Sequence, residues 1–113
     1  MSTSEVALAP ADSTTTLAAA RREFAERRFE DAARAAAQAL AQGRSPEALA
    51  LYVAALLAGG RPGPALAALV VAPRGVSWPF RLRALALADL GHTREAITAG
   101  EDAARLAPDD PWA

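Results

Sequence analysis

The sequence predicts an all-α fold, and three observations carry that expectation. Alanine, the best helix former, fills 32 of the 113 positions. Val, Ile and Thr never alternate with polar residues over a useful length, so strand patterning is missing. Helix start and stop signals recur along the chain, and they come in pairs.

Each element has its own signals. Residues 1–12 are small and polar, with Pro10 as a breaker, and read as a disordered tail. The cluster "DSTTT" at 12–16 supplies N-cap side chains for a first helix over about 14–27. A second helix over about 30–42 ends at Gly43, a residue common just past helix ends. Ser45-Pro46-Glu47 is a start signal: Ser as cap, Pro at the first helical position. The third helix runs over about 46–58 and stops at Gly59-Gly60. Pro62 or Pro64 opens a short fourth helix over about 62–72, ended by Pro73 and Gly75. Ser77 is the expected cap of a fifth over about 78–90, with Pro79 tolerated in the first turn. Gly91 breaks it. Thr93 is the expected cap of a sixth over about 94–107, closed by Pro108.

The spacing of these helices distinguishes an array from an arbitrary bundle. The second helix of each pair has an early alanine: Ala32, Ala65 and Ala96, at intervals of 33 and 31. Sixteen residues before each lies Thr16, Leu49 or Phe80. Twelve before each lies a small or β-branched residue, Ala20, Val53 or Ala84, where a neighbouring helix can approach closely. The fifth helix is apolar almost all round from Leu82 to Leu90, interrupted only by Arg83 and Asp89, so it is expected to be covered on several sides.

With these residues in view, the chain resembles the tetratricopeptide repeat family, whose unit is a helix-turn-helix of about 34 residues. The resemblance covers about 98 residues, as 13–44, 45–76 and 77–110, with 111–113 as the start of a further repeat or a tail. The last repeat matches best, through Phe80, Ala84, Leu87, Gly91, "EAI" at 95–97, Ala103, Leu106 and Pro108. The first matches in "FAERRFEDA" and Ala39-Leu40, but has Arg27 where Gly is usual and no closing Pro. The middle one keeps "GRPGPALAAL", with its second helix clipped by Pro73. The resemblance implies a right-handed solenoid of three hairpins, six helices in all. Each hairpin would bury its apolar surface only by stacking on the next.

Composition and motifs narrow the function. Net charge is −1, from 12 basic and 13 acidic residues, which argues against a dedicated nucleic-acid surface. All the basic residues are Arg; with rich Ala, Gly and Pro this suggests a GC-rich, bacterial source. No Cys means no disulfide, thiol nucleophile or thiolate metal site. The N-terminus lacks the basic and apolar regions of a signal peptide. The longest apolar run, Ala48 to Ala58, is 11 residues, against roughly 20 for a bilayer span. A cytoplasmic protein without membrane insertion is expected. The single His, His92, reads as an exposed turn residue. The carboxylate pairs Glu30-Asp31, Glu101-Asp102 and Asp109-Asp110 read as solvated. "GGRPGP" has neither the spacing nor the Lys of a phosphate loop. No catalytic, metal or cofactor site is expected, and the chain is read as a non-enzyme. Arg21, Arg22, Arg27, Arg28 and Arg34 interleave with Glu23, Glu26, Glu30 and Asp31, with Arg22–Glu26 and Glu30–Arg34 at i,i+4 spacing, and read as a self-neutralised face.

The resemblance also implies a concave groove lined by the first helix of each repeat, which holds a peptide or helix of a protein partner. The expected stripe is Thr14, Leu17, Arg21 and Phe24; then Glu47, Ala50, Ala54 and Leu57; then Trp78, Arg81, Leu85 and Ala88. Such a groove suits small or aliphatic side chains and one acidic anchor gripped by Arg. Leu17, Phe24, Leu57 and Leu85 are equally open to a core role. The carboxylate clamp that some members use on chaperone tails is not implied, because its positions hold Leu17, Arg21, Leu51, Trp78 and Leu82. Two further readings remain. "DDPWA" at 109–113 resembles the start of a fourth repeat. The chain is then a fragment of a longer protein, or the uncapped face near Leu106 and Trp112 is covered by another copy in a homo-oligomer; a regulatory helical domain of a larger protein is a third functional reading.

Overall fold

The computed structural model describes residues 13–43 and 45–106. Among them are six α-helices, one 3₁₀ turn and no strand. The helices are α1 Ser13–Ala25, α2 Phe29–Gln42, α3 Pro46–Ala58, α4 Pro62–Ala68, α5 Trp78–Asp89 and α6 Thr93–Leu106, with the 3₁₀ turn Leu69–Val71 after α4. The N-terminal tail, Pro108 and Trp112 lie outside the described residues.

The helix boundaries follow the sequence signals closely, with four corrections. Ser45 caps α3 as expected, its side chain accepting a 3.2 Å hydrogen bond from the Ala48 N–H. Ser77 makes no such capping bond, because its backbone is already helical (φ −80°, ψ −31°). Thr93 lies inside α6: the Ala96 N–H reaches the His92 carbonyl at 2.9 Å, so the cap position is His92. Gly43 is extended (φ −178°, ψ 135°), a conformation open to any residue, so no left-handed cap is formed there. The expected fourth helix stays α-helical only to Ala68 and tightens into 3₁₀ geometry over its last turn, ahead of Pro73.

The turns inside the three hairpins share one geometry. Arg27, Gly60 and Gly91 all have positive φ, at 64°, 79° and 85°, and lie 33 and 31 residues apart. At each, the left-handed residue donates to a carbonyl three residues back: Arg27 to Phe24, Gly60 to Leu57, Gly91 to Ala88. The next residue donates to a carbonyl five back: Arg28 to Glu23, Arg61 to Leu56, His92 to Leu87, each at 2.8 Å. These two bonds satisfy carbonyls that the helix end would otherwise leave free. Gly adopts this conformation without steric cost, whereas Arg27 has a Cβ to accommodate. Phe24 and Phe29 meet edge-to-face across the Arg27 turn, centroids 5.3 Å apart, and help to hold it.

Packing is sequential. α1 packs on α2, α2 on α3, α3 on α4, α4 on α5 and α5 on α6. The first helices also touch one another, α1 with α3 and α3 with α5. Alanines permit the close approaches: Ala32, Ala36 and Ala39 of α2 and Ala65 of α4 are fully buried. The main core joins Leu49, Val53 and Leu56 of α3 to Ala65, Leu69 and Leu82. The hairpin with the faintest repeat signature thus supplies most of the core. Fully burying each of these large aliphatic side chains is worth about 1.5–3 kcal/mol. The Thr16 hydroxyl donates to Gln42 Oε1 at 3.0 Å and ties the start of α1 to the end of α2.

The three recurring positions are not buried equally. Thr16, Leu49, Ala20, Val53, Ala32 and Ala65 are buried, whereas Phe80, Ala84 and Ala96 of the last hairpin are half-exposed. α5 is accordingly less covered than its sequence predicts. Leu82, Ala86 and Leu87 are buried, but Leu85 and Leu90 are exposed.

Candidate partner-binding groove

One face each of α1, α3 and α5 lines a common open concavity of about 290 Å³. α1 contributes Arg21 and Phe24. α3 contributes Glu47, Ala50, Leu51 and Ala54. α5 contributes Trp78, Arg81 and Leu82. The floor is apolar and shallow because Ala50 and Ala54 are short; Phe24 and Trp78 form taller walls. A larger cavity of about 710 Å³ lies between α2 and α3, around Phe29, Ala33, Tyr52 and Leu56. Only the smaller one draws on all three hairpins.

Seven residues of the expected stripe meet in this concavity: Arg21, Phe24, Glu47, Ala50, Ala54, Trp78 and Arg81. Four others do not. Leu17 is buried against Ala39 and Ala48 and belongs to the core. Leu57 is half-buried and packs on the main core cluster. Leu85 is 53% exposed and, like Ala88, lies on α5 beyond the concavity. The Thr14 side chain is outside what is described. The physical reason is a stagger: the lining moves from the second half of α1 to the first turns of α5. A stripe drawn at equal heights on the three helices therefore strays into core on α1 and into open surface on α5. Leu51 and Leu82 were missed because the stripe used i+3 and i+7 spacing. Each lies four residues after a stripe residue, Glu47 or Trp78, and i+4 positions share a helix face with i.

The charges differ from expectation as well. Arg21 is ion-paired with Glu47, bridging α1 and α3 along the groove. Both side chains are more than half exposed, so the pair is worth about 0–1 kcal/mol and yields readily to a competing anion. Around the first hairpin, Arg28 lies 3.4 Å from Glu23 and 3.6 Å from Glu26, and Arg34 lies 2.9 Å from Asp31. That face is neutralised only in part, and not through i,i+4 pairs: Arg22, Arg27 and Glu30 make no ion pair among the described residues. Arg34 reaches Asp31 rather than Glu30, and Arg28 serves both glutamates. His92 is exposed in its turn, with Nδ1 3.3 Å from Glu95 Oε1. Among the described residues no cluster of His, Asp or Glu is arranged to hold a metal ion, and no helix is long and apolar enough to cross a membrane. No protein-family model matches the sequence, and neither a characterised protein nor a solved structure matches it.

Proposed function

We propose that the chain is a non-catalytic scaffold of the tetratricopeptide type, three hairpins stacked as a right-handed solenoid, which holds a peptide or helix of a partner protein in its groove. The observation that carries this reading is the concavity shared by α1, α3 and α5. An apolar floor with aromatic walls offers contact area, and the Arg21–Glu47 pair offers polar groups that can be re-partnered. The recurrence of one turn geometry at Arg27, Gly60 and Gly91 supports the array. The occupant that fits is a segment with small or aliphatic side chains and an acidic residue. The test is capture of a partner by wild type against Ala54→Arg and Trp78→Glu, after circular dichroism has established that the variants fold. Loss of the partner with both variants supports the groove. Retention with both removes it.

A second reading is self-association through α6. Ile97 is 58% and Leu106 42% exposed on this helix. Sedimentation of wild type and Ile97→Glu tests it: a concentration-dependent dimer lost in the variant supports it, and a monomer at all concentrations rules it out.

A further inference from the structure

The chain's charges are segregated in sequence. Between Glu47 and Asp89 there are four arginines, Arg61, Arg74, Arg81 and Arg83, and no Asp or Glu. Outside that stretch Arg21, Arg28, Arg34 and Arg105 have carboxylate partners, Glu47, Glu23, Asp31 and Asp102 respectively. Arg74 and Arg83 make no ion pair among the described residues.

These two arginines line the same small cavity, about 240 Å³, between the segment after α4 and the first turns of α5. Its remaining lining is apolar, including Val70, Pro73 and Phe80, and holds no carboxylate. It lies on the side of α5 away from the groove, since Pro79, Phe80 and Arg83 face it whereas Trp78, Arg81 and Leu82 face the groove. The Arg83 guanidinium sits over the Phe80 ring, 5.7 Å from its centroid, which limits where its fork can point. Its Nε is buried and has no hydrogen-bond acceptor. Native structures rarely leave a buried charged donor unmet, because the lost hydration is not replaced.

We propose that this cavity is a binding site for an organic carboxylate with a small apolar body. A carboxylate matches the guanidinium fork in a bidentate manner, and a small turn of the Arg83 side chain would bring the unmet Nε–H to one of its oxygens. Arg74 adds a second positive charge, and Val70 and Phe80 contact the apolar part. The carboxylate is carried either by a free small molecule or by an acidic side chain of a partner segment.

The test is an NMR titration of the full chain, following the Arg83 Nε–H resonance. The probes are isovalerate, its neutral analogue isovaleramide, inorganic phosphate, and a capped Ala-Asp-Leu tripeptide. Saturable shifts with isovalerate but not isovaleramide are expected. Arg83→Gln, followed on backbone amides near Phe80, and the exposed-site variant Arg74→Gln should each weaken binding about tenfold or more. Tighter binding of the tripeptide than of isovalerate identifies a partner's side chain as the source; the reverse identifies a free small molecule. No saturable shift, equal response to isovaleramide, binding unchanged in a folded Arg74→Gln, or phosphate binding in preference to both carboxylates would overturn the assignment.

Discussion

α2 and α6 are second helices of their hairpins, and each is 14 residues long. Both follow the same left-handed turn. Their surroundings differ. α2 buries Ala32, Ala36 and Ala39, and its Ala33 and Leu40 pack against the core of the next hairpin. The counterparts of Ala33 and Leu40 on α6, counted from the turn, are Ile97 and Ala104, and both are exposed. α6 buries only Ala99 and Ala103. A helix that reads as amphipathic carries one covered face by right, through its hairpin partner. The second face is covered only where another hairpin stands beside it.

Substitutions at matched places sharpen this comparison. The largest effect is expected in the main core, the cluster against which Ala33 and Leu40 of α2 pack. Leu69→Ala removes a side chain only 1% exposed and should cost about 2–5 kcal/mol in denaturant unfolding. Ile97→Ala on α6 should cost less than about 0.5 kcal/mol. A large cost at Ile97 would mean that something covers α6 in solution. Next come the matched small residues Ala36 and Gly100. Ala36→Leu overfills a closed site and should destabilise by about 1–3 kcal/mol. A Cβ at Gly100 meets nothing within 4 Å, so Gly100→Ala should stabilise by about 0.5–1 kcal/mol through helix propensity alone. Destabilisation by Gly100→Ala would break the comparison.

The turns give a smaller effect of opposite sign. Arg27→Gly removes left-handed strain and should raise stability by about 1 kcal/mol, whereas Gly91→Ala should lower it by about as much. Equal responses at the two sites would show that the turns are not equivalent. The smallest effect is at the groove rim. Arg21→Ala should change stability by less than about 1 kcal/mol, less still at high salt, because its pair with Glu47 is exposed.

Much of the helical skeleton was legible because local signals are strong. Pro46 and Ser45 fixed the start of α3, and the turn residues fixed the hairpins, including Arg27 where the usual Gly is missing. The failures came where a tertiary term decides. Ser77 has a capping side chain but a helical backbone. Leu17 has groove spacing but meets Ala39 and Ala48 once α1 is staggered against α3. The seven residues that did reach the groove lie where that stagger and the equal-height stripe coincide. The Arg74–Arg83 cavity was invisible to motif reading, since it joins a loop to a helix face through residues without a shared pattern.

The proposed function depends on the groove as a working surface. The most direct measurement is photocrosslinking in the source cell, with a photoreactive side chain at Ala54 on the groove floor or at the exposed Ala67 on α4. A single protein adduct from Ala54, absent from Ala67 and lost on adding Trp78→Glu, is the predicted result. Adducts from neither position, or equal adducts from both, would contradict it.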